Sequence, residues 1–137
     1  MRSVPVVSLV IPSLLFLVLA VSASTPLQPE GIEPPQSEKE YQKEFASKVD
    51  GKVEVRMGDG TRCDVVTKTH AIEVDFGHKW AEAIGQSLHY AFQSNKKAGI
   101  ALILKTKKDY RYLIRLKSVI KHYELPIEVW PVYGYEQ

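Results

Sequence analysis

The chain has 137 residues, of which 45% are hydrophobic and 25% are charged. This length allows one modest domain, and the composition is typical of a globular protein rather than a disordered or fibrous one. The 18 Lys and Arg residues nearly balance the 16 Asp and Glu residues, which excludes binding of nucleic acid by bulk charge alone. A single cysteine, Cys63, excludes an intramolecular disulfide framework and a multi-cysteine zinc site.

The N-terminal 36 residues are predicted to lie outside the folded domain. Residues 1–23 have the features of a signal peptide: a basic Arg2, an apolar run, and small residues before a cleavage point after Ala23, with cleavage after Ala20 as the alternative. We therefore expect export to a periplasm or secretion, with no membrane span left after cleavage. The alternative is an uncleaved N-terminal membrane anchor. Residues 24–36 are rich in proline and predict a linker, which leaves 37–137 as the folded α/β domain.

The first half of the domain is predicted to be one helix followed by three strands. Ser37 is a suitable N-cap for a helix that ends at Lys48, and apolar residues recur within it at a spacing of four. Three strand patterns follow, over 52–57, 62–67 and 70–76. The short connections between them are typical of β-hairpins, so these three strands are expected to pair antiparallel.

The second half of the domain alternates helices and strands. We predict a helix over 78–94, a strand buried on both faces over 98–104, a helix that Asp109 caps and that continues to Tyr123, and a strand over 127–132. The order α-β-β-β-α-β-α-β predicts a mixed-sheet α/β domain. Its last β-α-β unit is expected to be a right-handed crossover between parallel strands.

The turn between the second and third strands decides which acids face each other. A two-residue turn at 68–69 pairs residues whose numbers sum to 137, and Asp64 then lies opposite Glu73. The same register sets Arg62 opposite Asp75. Like charges directly opposite one another destabilise a sheet. The pattern therefore indicates either a compensating cation or a bound metal.

The first hairpin adds a further acid to this face. A two-residue turn would place Glu54 and Arg56 among apolar side chains, so a three-residue loop at 58–60 is preferred, which sets Glu54 beside Asp64. Clustered carboxylates suit Mg²⁺, Mn²⁺ or Ca²⁺ better than zinc, and such a metal polarises a phosphodiester. The alternative is a solvated sheet face whose acids pair with Arg56, Arg62 and nearby lysines.

The region from 52 to 90 resembles the PD-(D/E)XK nuclease superfamily, which has a restriction-endonuclease-like core. Asp64 matches the first acid of that family, and the triplet Glu73-Val74-Asp75 matches its (D/E)-x-K element. The resemblance implies that Asp64 and Glu73 bind Mg²⁺ or Mn²⁺, with Asp75 as a further ligand. Asp75 is also a departure, since the family generally has lysine at this position.

Four further residues extend the resemblance. Lys79, one helical turn beyond the triplet, is the candidate to replace the lysine that acts on the attacking water in the family. Gln86 and Tyr90 match the QxxxY motif of the exonuclease-like branch, which helps to position DNA there. Glu44 is the candidate for an acid that some members carry in the first helix.

The resemblance implies an exported nuclease that hydrolyses phosphodiester bonds of nucleic acid with a divalent metal. The alternative is a catalytically inactive member of the same fold that acts as a binding or interaction module. Cys63 falls on the apolar face of the hairpins and is predicted to be a buried, inert thiol. A basic stretch near the last helix is either a phosphate-binding surface or a solvated helix face. Its members are Lys105, Lys107, Lys108, Arg111, Arg115, Lys117 and Lys121.

Overall fold

The computed structural model describes residues 37–135, so the predicted signal peptide and linker lie outside the described residues. The described part contains three α-helices and five strands, with two short 3-10 turns at Gly77–Lys79 and Lys107–Asp109. In chain order the elements are α1 (Glu38–Lys48), β1 (Lys52–Arg56), β2 (Arg62–Val66), β3 (His70–Phe76), α2 (Trp80–Ser94), β4 (Lys97–Leu104), α3 (Tyr110–His122) and β5 (Ile127–Tyr133).

All five strands form one mixed sheet in the order β1-β2-β3-β4-β5. The first three strands pair antiparallel, whereas β3, β4 and β5 pair parallel. Each parallel connection passes through a helix, α2 or α3, as parallel pairing requires. The prediction of an α/β domain with a mixed sheet is therefore confirmed.

The N-terminus of α1 is fixed by a capping box. The Ser37 hydroxyl accepts a hydrogen bond from the Glu40 backbone N–H at 3.3 Å, and the Glu40 carboxylate accepts one from the Ser37 N–H at 2.8 Å. Behind this cap, Tyr41 and Phe45 are buried against the sheet, as their spacing predicted. The cap determines where the first helical residue, Glu38, lies.

Helices cover both faces of the sheet. Of three hydrophobic clusters among residues 37–135, one lies between α1 and the sheet, a second lies between the sheet and α2 and α3, and a smaller third joins Cys63 and Ala71 to Tyr90. Ile72 and Val74 of β3 belong to the α1 cluster. Because successive strand residues face opposite sides, Glu73 and Asp75 face α2. Glu73 is accordingly in register with Ile100, a member of the second cluster.

The turns between strands set the registers as predicted. In the first hairpin Val55 pairs with Cys63, which requires the three-residue loop. In the second hairpin Val65 pairs with Ile72, the register that a two-residue turn dictates. Cys63 is fully buried, as predicted, but it packs with Tyr90 of α2 and not in the cluster that holds Val65 and Ile72.

The structure corrects two expectations about the last helix. Asp109 occupies the N-cap position of α3, but its carboxylate makes no capping bond to that helix and instead accepts a hydrogen bond from the Thr106 N–H at 3.0 Å, within the preceding 3-10 turn. Helix α3 ends at His122, one residue before the predicted end, and Tyr123 is 68% exposed. Among residues 37–135, no helix has both the length and the apolar character needed to cross a membrane.

Candidate functional site

The candidate site lies where the backbone pairing between β2 and β3 ends. Their pairing includes Val65 with Ile72, but further along β3 the Val74 N–H donates a hydrogen bond to the Asp64 carboxylate at 2.9 Å. Gln42, buried on α1, also hydrogen-bonds this carboxylate. Asp64 therefore links β3 and α1 through its side chain.

The Asp64 carboxyl group has a pKa close to neutral pH. Burial raises its pKa to about 6, although the hydrogen bonds from Val74 and Gln42 act in the opposite direction. The negative charges of Glu38 and Glu54 raise this pKa further. A cation beside Asp64 would favour the ionised form.

Glu73 is the most perturbed acid of the site. Its side chain lies against the α2 side of the sheet with the residue 5% exposed, and its Oε2 atom has no hydrogen-bond partner among residues 37–135. Burial raises the pKa of Glu73 to about 9, and the negative charges of Asp64 and Asp75 contribute to the increase. With this pKa the Glu73 carboxyl is neutral at pH 7, and because buried polar atoms normally have a partner, its Oε2 marks an unsatisfied position in the described chain.

Asp75 is 3% exposed and binds the amino group of Lys79 at the C-terminal end of β3. The Asp75 Oδ1 atom lies 3.1 Å from Lys79 Nζ and also accepts a hydrogen bond from the Phe76 N–H. Burial raises the pKa of Asp75 in spite of this cation. The hydrogen bond to Asp75 raises the pKa of Lys79. The structure thus places Lys79 at the acids, where the sequence predicted it.

The expected pair between Arg62 and Asp75 is wrong, because the β2–β3 pairing gives way before it reaches them. Arg62 instead lies 3.3 Å from Glu54 in an exposed ion pair. Glu54 has a left-handed backbone (φ 53°), which is rare for a residue with a side chain and interrupts the regular alternation of β1. Glu54 therefore lies at the edge of the acidic group and acts on Asp64 through its charge.

Helix α1 contributes Glu38 rather than Glu44. The Glu44 carboxylate is exposed and lies 2.6 Å from Lys48 on the helix surface. The Glu38 carboxylate lies 3.4 Å from Lys79 Nζ, and its charge raises the pKa values of Asp64, Glu73 and Asp75. The sequence signal for Glu38 was the cap at Ser37, but an acid in the first helical turn is ordinarily explained by the helix dipole alone.

Gln86 and Tyr90 lie one helical turn apart on α2, and their side chains hydrogen-bond each other. Tyr90 is 8% exposed and packs with Cys63, whereas Gln86 is exposed. Burial raises the pKa of Tyr90, and the negative charges of Glu73 and Asp64 contribute. The structure therefore brings this predicted pair beside the two acids.

The acids do not form a ready-made cage for a metal. Within the part of the chain that the structure describes, no group of three or more His, Cys, Asp or Glu residues is arranged to hold one. Asp64 is close enough to Glu73 for its negative charge to raise the Glu73 pKa, while Asp75 is held by Lys79. The available donor set is thus two carboxylates. Mg²⁺ sites often use one or two carboxylates and complete the coordination shell with water and substrate phosphates.

The predicted basic stretch is exposed along its whole length. Two of its members lie over an aromatic ring, with the Arg111 and Arg115 guanidinium carbons 4.7 and 5.7 Å from the Tyr112 ring centre. Tyr112 in turn packs close to Gly77, which follows β3. One end of this basic surface therefore lies near the C-terminal end of β3, where Asp75 is found.

The chain is 33% identical over 96 residues to a protein of Acanthamoeba polyphaga mimivirus that is described as containing a KilA-N domain. The aligned region covers 69% of this chain and 37% of the viral protein, so the chain spans little more than a third of that relative's length. No family profile and no solved structure matches the chain.

Proposed function

We propose that the chain is a divalent-metal-dependent nuclease of the PD-(D/E)XK type, built on a restriction-endonuclease-like fold. The observation that carries this proposal is the buried Glu73 carboxyl, which lacks a partner at Oε2 and lies within the electrostatic reach of Asp64 and Asp75. Burial keeps this carboxyl protonated without a partner of opposite charge, and a divalent cation is the group that would most directly favour its ionised form.

The residues present suit Mg²⁺ or Mn²⁺. Asp64 and Glu73 offer hard oxygen ligands, and Asp75 is the further ligand if its contact with Lys79 opens. When bound, such a metal supplies polarisation of the phosphodiester and a lowered pKa for a coordinated water. The mimivirus relative's description states no reaction, so the proposal rests on this donor set.

Three side chains have proposed roles toward the nucleic acid. Lys79 is held by Asp75 and Glu38, which positions one fixed positive charge beside the acids for the phosphate or the attacking water. Gln86 is exposed on the face of α2 that also carries Tyr90, and it contacts the nucleic-acid strand. Tyr90 holds Gln86 in place through the hydrogen bond between their side chains.

We expect cleavage of nucleic acid that requires Mg²⁺ or Mn²⁺ and is lost in Asp64→Asn and Glu73→Gln. Each substitution removes a ligand charge but keeps the side-chain size, so the loss should be at least ~100-fold, since metal chemistry supplies several kcal/mol of charge stabilisation. The measurement is cleavage of labelled single- and double-stranded DNA and RNA by the purified chain. Glu44→Gln, an exposed acid on α1, is the matched control. Absence of cleavage with every metal, or full activity in both site variants, would refute the proposal.

A catalytically inactive member of the same fold, acting as a binding module, is the second candidate. The observation that favours it is Asp75, which occupies the triplet position of the family's lysine and holds Lys79 in an ion pair. Isothermal titration calorimetry separates the two candidates. Metal or nucleic-acid binding without turnover supports the binding module, whereas turnover that depends on Asp64 excludes it.

We also propose that the chain is exported, on the signal-peptide pattern of residues 1–23. Expression with its own N-terminus should yield a product that begins after Ala23 outside the cytoplasm. N-terminal sequencing of the fractionated protein checks this. An uncleaved product in the membrane fraction would instead support the N-terminal anchor.

A further inference from the structure

A cavity of about 340 Å³ opens at the C-terminal ends of the parallel strands β3 and β4. In open α/β sheets, ligands bind in the crevice outside the carboxyl ends of parallel strands, and this volume lies within the range of small-ligand pockets. The lining residues come from the ends of these strands and from the turn before α3. They are Phe76, Gly77, His78, Ile103, Lys105 and Asp109.

The lining of the cavity suits a flat aromatic ligand. The Phe76 and His78 rings are nearly parallel, with 9° between their planes and 6.1 Å between their centres. His78 is exposed, and Ile103 supplies a buried apolar wall. An exposed aromatic face above an apolar wall is a stacking surface for a nucleobase, and such stacking tolerates any base.

The charged residues around the cavity provide one position for a phosphate and another for a base. Lys105 Nζ lies 5.7 Å from the centre of the Phe76 ring, and the exposed Lys107 and Lys108 follow in the same connection. These cations suit a phosphate at the rim of the cavity. Asp109 places a negative charge in the lining, and this charge disfavours a phosphate there. Its carboxylate oxygens can accept hydrogen bonds from the amino groups of a base.

The cavity is also next to the acidic site in the amino-acid sequence. Phe76, Gly77 and His78 are the three residues between Asp75 and Lys79. A nucleic-acid strand that enters the cavity therefore passes the end of β3, where the Asp75 and Lys79 side chains meet. A base inside a duplex cannot stack on His78 unless it leaves its own stack. The surroundings of Asp75 therefore favour unpaired nucleotides over a regular duplex.

We propose that this cavity binds one unpaired nucleotide, its base stacked on His78 and its phosphate on Lys105, and that the substrate is single-stranded or frayed nucleic acid. The placement of this nucleotide beside the reacting bond rests on the nuclease function proposed above. Binding to the cavity does not, since it uses residues outside the carboxylate group.

Fluorescence anisotropy of the full chain in EDTA tests the proposal, with labelled oligothymidine, oligouridine and a blunt duplex as probes. We expect at least one single-stranded probe to bind ~10-fold or more tightly than the duplex. His78→Ala should weaken that binding at least ~5-fold, because stacking of one base contributes about 1–3 kcal/mol. Lys105→Ala should lower the slope of log affinity against log salt by about 0.7, the value for one phosphate contact on a single strand.

Matched controls are His122→Ala, an exposed histidine at the end of α3, and Lys43→Ala, an exposed lysine on α1. The proposal is overturned if the duplex binds as tightly as both single strands, if no probe binds, or if His78→Ala behaves like His122→Ala. Cleavage in Mg²⁺ is scored separately. His78-dependent binding without cleavage would refute the nuclease function alone, whereas Asp64-dependent cleavage with His78-independent binding would refute the cavity alone.

Discussion

Glu73 shows how a strand residue acquires an unusual pKa when a helix buries it. Alternation along β3 identifies the side of the sheet on which Glu73 lies, but burial depends on α2, which covers that side. The sequence left open a solvated acidic face neutralised by arginines. The structure instead buries Glu73 and Asp75 and leaves Arg62 with Glu54.

The raised pKa of Glu73 makes metal-free stability depend on pH. The folded-state pKa of about 9 lies above the ordinary value of 4.5, so the folded protein binds this proton more tightly than the unfolded chain does. Its stabilising effect is complete below the unfolded pKa and is lost as pH rises toward about 9. Asp64 acts in the same direction over a lower range, up to about 6.

We therefore expect the free energy of unfolding in EDTA to fall between about pH 5 and pH 9. Urea denaturation at several pH values measures it. Glu73→Gln should flatten most of the decline because the amide does not titrate, whereas Glu44→Gln should leave it unchanged. A stability that rises over this range would contradict the assignment of the raised pKa to Glu73.

Cys63 gives a second test at the scale of one side chain. Burial raises the pKa of its thiol to about 12, and its sulfur lies 3.5 Å from the Val65 carbonyl oxygen. The thiol should resist a disulfide reagent in the native protein and react at once in concentrated guanidinium chloride. Because the chain has one cysteine, the absorbance change reports Cys63 directly. Rapid reaction in the native state would show that this part of the hairpin opens.

At the scale of elements, registers were predictable and helix placement was not. The lengths of two turns are local features, and they set the pairs Val55–Cys63 and Val65–Ile72. The approach of Glu38 to Lys79 is a contact across 41 positions that depends on how α1 packs on the sheet. No periodicity in the sequence encodes that contact, so the sequence does not indicate Glu38 as a site residue.

Two glycines in different elements should respond oppositely to alanine. A Cβ atom on Gly99 in β4 would lie 2.6 Å from the Trp130 ring and 3.0 Å from Ile72, so Gly99→Ala should destabilise the fold by about 1–3 kcal/mol. Gly85 in α2 has open space around the same position, and Gly85→Ala should stabilise the fold by about 0.5–1 kcal/mol. Thermal unfolding followed by circular dichroism measures both. Equal shifts for the two variants would show that the β4–β5 contact is looser than the structure has it.

For the whole molecule, charge separates along the fold although the total is nearly balanced. The acids gather where β2 and β3 part, while exposed lysines and arginines follow β4 and cover α3. The sequence predicted both groups from their positions in the chain. It did not predict that one end of the basic surface lies near β3, because that depends on α3 packing against Gly77.

The two larger hydrophobic clusters also predict what the domain needs in order to fold. Their buried members in the described chain lie between Tyr41 and Ile127, so a chain that starts at Ser37 should unfold cooperatively with the midpoint of the full-length protein. A chain that starts at Asp50 lacks Tyr41 and Phe45 and should lose cooperative unfolding. Circular dichroism melts compare the three proteins. An intact transition without α1 would show that the α1 cluster is dispensable.

The hydrogen bond between Val74 N–H and Asp64 has a consequence for the evolutionary history of the site. Asp64 bonds the backbone of the neighbouring strand, so selection for a folded hairpin would retain this acid in homologues without the proposed nuclease activity. Glu73 has an oxygen with no such structural duty among the described residues, and burial penalises its charge. Across homologues, loss of the acid at position 73 with retention of the acid at position 64 would therefore mark a lineage that has the fold without the proposed nuclease activity.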